Sequence, residues 1–484
     1  MLSARNWRGT HRAVAIRFAT NHEISNLMSQ SSDVPLAQRR WVMACILLGM
    51  VLSSLDSSIA NIALPVIAGS LASSDAATVY VVNGYQLAGT ICLLPVAALS
   101  EALGLKRVYA TGLVLFTLSS LTCALSPTLT LLVFSRVMQG AGGACMSVAG
   151  MALVRSVYPR SIVARGFALI ALAVAVSGAL GPSIAAMILA VASWHWLFLV
   201  NVPLGLAAIP VFLKRAPAGE PHARRFDWTG ALLNALAIGL MVTGVGSIGV
   251  KGVEIAGAQM LAGVLFFAIL VWQQTHRTSP LLPLDLLRIP VFALSVGTSM
   301  CSYAAQILAY VSLPFFFEKS LHLSPVATGL LLTPWPLLVA LAAPVAGRLV
   351  SRYPAAIISS IGMLLLASGL LLMTMLPSGV SSFGIVWRLA LCGIGFGLFQ
   401  TPNNTAMMTS GPVERSGAAA GMNAVARYLG WSLGSAIAAL IFGLRGSDAT
   451  VTCLGVASGI ALLGSVFSAA RLQGRAGTTQ HNKA

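Results

Sequence analysis

The chain has 484 residues, of which 57% are hydrophobic and 8% charged, against about 25% charged in an ordinary soluble domain. That balance excludes a soluble enzyme and describes a polytopic membrane protein. The net charge of +17 is of a kind that serves nucleic acid, but here the basic residues sit in short gaps between apolar spans, where they set membrane topology. No nucleic-acid partner is expected.

Residues 1–40 are polar, with Arg5, Arg8, Arg12, Arg17, Arg39 and Arg40 against Glu23 and Asp33. They read as a cytoplasmic tail or an over-long gene start, with an organellar targeting peptide as the alternative. Fourteen spans follow: 41–64, 77–99, 107–125, 129–153, 162–190, 195–213, 228–250, 255–273, 290–316, 325–347, 355–376, 384–409, 417–443 and 450–470. An even number of spans returns both termini to one side. Placing them inside puts 23 of the 29 basic residues on the cytoplasmic side, against Lys251, Lys319, Arg388 and Arg445 outside. That asymmetry orients the chain with both termini cytoplasmic. The expected location is the inner (cytoplasmic) membrane.

Spans seven and eight are bracketed by polar stretches around Ala216–His222 and from Arg277 to Pro290. Removing them leaves six plus six, the parsing of two repeated halves with an inserted helical pair. The expected organisation is a tail at 1–40, a six-helix half at 41–215, linkers and the inserted pair at 216–288, a second six-helix half at 289–471, and a tail at 472–484. Ala97–Gly104, which ends span two, is echoed by Gly347–Pro354 at the end of span ten.

One acid breaks the pattern. Asp56 lies in Ser53–Pro65 within an otherwise apolar first span. A carboxylate at mid-membrane costs roughly 2.5 kcal/mol or more, so it belongs in a protein interior or a watery cavity and does a job there. Counting 1.5 Å per residue, Asp56 sits about 22 Å from the cytoplasmic end of its helix, and Arg136 in span four about 10 Å in from the outer face. In a core about 30 Å thick the two share a depth. They form either a polar pocket in which each biases the other's protonation, or a static ion pair locking helices one and four.

Gly178, Gly181 and Pro182 interrupt span five, while Gly140, Gly142 and Gly143 follow Arg136; both groups permit close helix contact. Arg427 is a second intramembrane cation, which either snorkels toward the cytoplasm or takes part in gating. Glu318 reads as a loop partner of the adjacent Lys319, with attraction of cations to the cavity mouth as the alternative, and His195, between two tryptophans, as an interfacial anchor. Tyr80, Tyr85, Trp335, Phe396, Phe399 and Trp431 are candidates to line a cavity and stack on a flat or cationic ligand. The seven cysteines read as buried thiols, neither disulfides nor metal ligands. No GxxxxGK[ST] loop is present, no metal site or cofactor is expected, and no nucleophile–base pair marks an enzyme. A proton gradient is the expected energy source.

Taken in order, these stretches resemble the major facilitator superfamily in its fourteen-helix drug:proton antiporter branch. Leu55–Pro65 resembles that branch's first-helix motif, Arg136-Val137-Met138-Gln139-Gly140 its fourth-helix motif, and Gly181-Pro182 its antiporter motif. Trp194–Gly205 and Phe226–Gly230 are also similar to it. The loop after span two departs from the family: Ala97, Glu101 and Ala102 replace a Gly, an Asp and an Arg, while Gly104, Lys106 and Arg107 fit. The missing Arg weakens a charge relay. Ala185-Ala186 replaces a glycine pair.

The resemblance implies an all-α major facilitator fold that exports amphipathic, chiefly cationic, drugs or biocides against protons, by alternating access. Asp56 and Arg136 are then the proton-coupling residues. The substrate-lining set is Asn61, Tyr85, Gln86, Gln139, Trp335, Phe399 and Asn403. The gating set is Glu101, Gly104, Lys106, Arg107, Gly178, Gly181, Pro182 and Arg427. The implied partners are small-molecule substrates, protons and the lipid bilayer, with a periplasmic adaptor left open. Transport of a metabolite, sugar or siderophore on the same fold is the alternative.

Overall fold

The computed structural model describes residues 35–159, 162–217, 226–276, 284–377, 379–412 and 415–481. Arg5, Arg8, Arg12, Arg17, Arg160, Arg224, Arg225, Arg277 and Lys483 lie outside the described residues, as do 1–34 of the tail and the middle of each polar linker. Among the described residues, fourteen helices are long and apolar enough to cross a bilayer. They are α1 (Leu36–Ser70), α2 (Asp75–Leu103), α3 (Leu105–Ala124), α4 (Leu129–Val157), α5 (Arg165–Val191), α6 (His195–Arg215) and α7 (Trp228–Gly249). The rest are α8 (Val253–Thr275), α9 (Pro290–Ser320), α10 (Pro325–Val350), α11 (Ala355–Thr374), α12 (Ser382–Thr409), α13 (Ala418–Arg445) and α14 (Ala449–Leu472). No strand occurs among the described residues. Each helix coincides with one predicted span, because an apolar stretch of about 20 residues has no other way to satisfy its backbone in lipid. The first begins earlier than expected, so Arg39 and Arg40 belong to α1.

Helix starts carry polar caps where the sequence supplies them. Ser74, Thr128, Asp227, Ser324 and Ser381 each accept a hydrogen bond from the backbone N–H three residues on, satisfying donors that the helix itself leaves free. Between α2 and α3 the chain turns at Gly104, whose φ of +90° is a conformation that a side chain disfavours.

Even helix number puts both described ends on one face, here the terminal face; α2 begins and α9 ends on the opposite, distal face. The two halves share one core toward the distal side, built from Ile59–Ala68, Val79–Val82 and Phe198 of the first and Tyr303–Phe317, Leu331, Leu332 and Phe442 of the second. Toward the terminal face the cores separate: one belongs wholly to the first half, between Val42 and Ala216. The other lies in the second half, joined by Leu93 of α2. Interhalf contacts run between α2 and α13, and between α5 and α10. At the second of these, a side chain on Gly329 would meet the Pro182 carbonyl oxygen at 2.5 Å and the Ala186 Cβ at 2.7 Å. Helix α7 packs against α2 and α13, with the Asn234 Nδ2 donating to the Ile91 carbonyl at 2.9 Å, and α8 packs on α7.

Candidate functional site

Asp56 is 2% exposed and Arg136 1%, and the two make a direct ion pair inside the first half. The carboxylate has further donors. Gln139 Nε2 and Asn201 Nδ2 each reach Oδ1 at 2.9 Å, while Arg136 Nη1 takes Oδ2. One acid on α1 is thus held by two side chains of α4 and one of α6. A buried charge is tolerated when it is paired and its remaining lone pairs are filled, and this shell complements a carboxylate rather than a neutral acid.

Arg136 is fixed from several sides. Its Nε donates to the Val81 carbonyl at 3.1 Å and its Nη1 to Gln139 Oε1 at 2.5 Å. The guanidinium lies 4.4 Å from the Tyr85 ring centroid and 5.5 Å from that of Phe198, both faces being attractive to a cation. Gln139 Nε2 also donates to Ser120 Oγ at 2.8 Å, and Tyr85 OH shares a hydrogen bond with Ser53 Oγ at 2.8 Å. The close approach of α4 to α2 depends on Gly140, where a Cβ would run into the Tyr85 backbone. Val81 and Phe198 belong to the core that both halves build together, so the ion pair is mechanically tied to the interhalf contact.

The expected substrate-lining set divides. Gln139 belongs to the shell of Asp56, and Tyr85 stacks on Arg136. Asn61 and Gln86 sit beside Ser57, with Nδ2 to the Ser57 carbonyl at 3.1 Å and Nε2 to Ser57 Oγ at 3.3 Å; their carbonyl oxygens are buried without a partner. Trp335 and Phe399 are enclosed in the second half, against Tyr310 at 4.9 Å and Tyr303 at 6.4 Å between centroids. Asn403 accepts from Arg471 Nη1 at 2.8 Å. All seven are buried, so in this conformation they do not line one open cavity: helix packing, not solvent, occupies their faces.

The gating set is also distributed. Gly181 faces α1, where a Cβ would strike Ser58, and α5 runs helical through Pro182. At Gly178 nothing lies within 4 Å of where a side chain would project, although Ser177 and Ala179 beside it are buried. Glu101, Gly104, Lys106 and Arg107 lie around the α2–α3 turn, with Glu101 engaged by a neighbour and Arg107 exposed. Arg427 stands 5.6 Å from the ring centroids of Tyr428 and Trp431. Lys319 pairs not with its neighbour Glu318 but with Asp75, at 2.6 and 2.8 Å, bridging the halves at the distal face.

Two residues escaped the sequence reading. Asn201 was visible only as part of the Trp194–Gly205 stretch, and its bond to Asp56 spans 145 residues of chain. Arg471 was counted in the cytoplasmic basic fringe, yet it is 3% exposed and binds Ser295 Oγ at 2.9 Å, Asn403 and Ser468, tying α14 to α9 and α12. Replacing Asn201 with Leu removes one of two donors on Asp56 Oδ1; the expected loss is about 1–3 kcal/mol, read as a lower unfolding temperature in detergent.

A bundle of two six-helix halves, with an acid and an arginine paired inside one of them, is the architecture of a membrane transporter. Residues 46–435 match the family model of the Major Facilitator Superfamily, and the chain belongs to that family. It is 43% identical over 446 residues to the uncharacterized transporter YebQ of Escherichia coli (strain K12), covering 92% of this chain and 98% of that one. Multidrug resistance protein Stp of Mycobacterium tuberculosis (strain CDC 1551 / Oshkosh) is 31% identical, over 81% of this chain and 73% of its own. Riboflavin transporter RibZ of Clostridioides difficile (strain 630) is 26% identical, over 84% and 89% respectively. Among solved structures, a POT family transporter in complex with a thioalcohol-conjugated peptide superposes with a TM-score of 0.68 at 14% identity, over 88% of this chain and 94% of that one. At that identity the likeness is one of fold.

Proposed function

We propose that this protein exports amphipathic small molecules across the cytoplasmic membrane in exchange for protons, with Asp56 as the proton-exchanging group and Arg136 as its switchable counter-ion. The observation that carries this reading is the anchoring of the pair: Arg136 hangs from the Val81 carbonyl, and Val81 is part of the core shared by the two halves. Parting the halves at the distal face moves α2 at Val81, loosens Arg136, and lets solvent reach Asp56. A protonated Asp56 presents an O–H to Arg136 where an acceptor stood, which favours the loosened arrangement. Cargo binding in the opened state then competes with the proton. The positive-inside asymmetry supports a cytoplasmic terminal face, and on that reading the conformation described is closed to the outside.

The relatives named for multidrug resistance support a drug cargo. The relative named for riboflavin supports a second reading, export or import of a metabolite on the same fold. A growth-inhibition panel of dyes, quaternary ammonium biocides and antibiotics, with riboflavin uptake alongside, separates them: the first reading expects resistance without altered riboflavin uptake. Inverted vesicles then report coupling. Substrate-evoked proton release that persists undiminished in Asp56→Asn would remove Asp56 from the mechanism.

The distal ion pair is a modest latch. Asp75 and Lys319 are 25% and 53% exposed, a setting in which a pair is worth about 0–1 kcal/mol. Lys319→Met is therefore expected to raise the distally open population by no more than about fivefold. The readout is maleimide labelling of a cysteine placed at Val79; an unchanged labelling rate means the pair does not latch.

A further inference from the structure

Among the described residues, Arg427 within α13 has no carboxylate partner, and it faces the axis of the bundle. Helix α13 fixes this by its neighbours, since successive side chains turn by about 100°. Gly430 and Gly434 face α9, where a Cβ would meet the Met300 carbonyl and the Ala304 backbone. On the other side, the Tyr428 ring lies over Gly89 of α2 and Ser432 shares a hydrogen bond with Thr90 at 2.8 Å. Further along, Gly443 meets Gly249 of α7. Arg427 and Trp431 occupy the arc between the α9 and α2 contacts, which points between the two halves.

That arc sets a cation beside aromatic rings. Trp431 donates from Nε1 to Gln306 Oε1 at 3.3 Å and packs edge to face on Tyr303, 5.5 Å between centroids. Tyr303 in turn receives Gln400 Nε2 at 3.1 Å. Arg427 is half-buried, and its Nε is buried without a partner. Its guanidinium stands beside the Tyr428 and Trp431 rings, and no hydrogen bond or ion pair to a described residue engages it. A guanidinium carries five N–H donors, and one held unpaired within a span is costly unless water or a ligand fills them. The eight carboxylates among the described residues are placed elsewhere: Asp56 is bound by Arg136, Asp75 by Lys319 and Asp285 by Arg415, Asp227 caps α7, Glu101 at the end of α2 has a partner of its own, and Glu254, Glu318 and Asp448 lie at helix ends, in the first turn of α8, the turn Phe316–Ser320 and the turn Gly446–Asp448.

We propose that Arg427 is a substrate-binding residue, and that the cargo is a planar aromatic compound bearing an anionic group (carboxylate, sulfonate or phosphate) that docks on Arg427 while its ring stacks on Trp431. This departs from the cationic cargo that the resemblance implies. It deepens the export reading by naming the charge of the molecule exported. Arg427 selects for the anion, while Trp431 offers a stacking face that a cation can also use.

Equilibrium binding of two xanthene dyes of opposite charge, fluorescein (anionic) and rhodamine 6G (cationic), to the purified full chain in detergent tests this. No proton gradient is involved, so a failure of proton coupling at Asp56 leaves the result readable. Wild type is expected to bind fluorescein more tightly than rhodamine 6G. Arg427→Gln should weaken fluorescein by at least about tenfold, the usual weight of a charged hydrogen bond, without weakening rhodamine 6G. Trp431→Leu should weaken both. Arg427→Lys, which keeps the charge, should retain the preference, and covers the case of a glutamine variant that does not fold. The proposal is overturned if rhodamine 6G binds as tightly as fluorescein, if neither dye saturates, or if folded Arg427→Gln binds fluorescein like the wild type.

Discussion

Asp56→Asn is expected to leave a transporter that still exchanges substrate down its gradient but no longer accumulates it against one. The side chain keeps its size and one acceptor oxygen, so Gln139 and Asn201 retain a partner. What changes is the contact with Arg136: either a neutral oxygen or an N–H now faces a buried cation. Removing one member of a buried ion pair costs about 3–5 kcal/mol, chiefly through the stranded charge. The variant should therefore be less stable, and Asp56→Asn combined with Arg136→Gln should recover most of the loss, because both charges then go together. Unfolding temperatures of the two single variants and the double variant read this directly. Additive losses would show that the pair is not a unit. Transport gives the second readout: counterflow without a gradient survives in Asp56→Asn, and gradient-driven uptake into inverted vesicles is lost.

The other large effect lies at the crossing of α5 and α10. Gly329 packs on the backbone of Pro182, which cannot move aside as a side chain can. Gly329→Leu forces the helices apart in the closed conformation, at a cost of about 1–3 kcal/mol, equivalent to a shift of about 5- to 150-fold toward the distally open form. In the proposed mechanism the crossing parts in the open form, which then carries no such penalty. Labelling of a cysteine at Val79 should accelerate by that factor, and export should stall because closing is now unfavourable. Gly178 offers the control. With nothing within 4 Å of its missing side chain, Gly178→Ala is expected to leave labelling unchanged.

The two substitutions probe features that differed in how readily the sequence disclosed them. The spans were plain, since hydropathy over some 20 residues is a strong signal and lipid admits few alternatives. The pairing of Asp56 with Arg136 followed from equal depth, computed from helical rise alone. Which further donors complete the shell did not follow, because depth says nothing of azimuth: Gln139, one turn beyond Arg136, was assigned to the substrate, and Asn201 was passed over within its motif. Arg471 shows the same limit from another side. A cation at the end of a span looks like a basic flank whether it enters water or, as here, turns inward to Ser295 and Asn403. Gly181 and Gly178, three residues apart, looked equivalent as packing glycines, and only at Gly181 does a helix stand where a side chain would project. Lys319 found Asp75 rather than Glu318 because pairing across the halves depends on how they dock, which no local pattern records.

The most direct measurement is the number of protons released when substrate binds to the purified protein in weakly buffered detergent, comparing wild type with Asp56→Asn. The substrate is the compound against which the growth panel shows protection. If Asp56 trades its proton for cargo, the wild type acidifies the medium on binding and the variant, binding the same compound, does not. Equal acidification by both would contradict the account, whatever the variant did to transport.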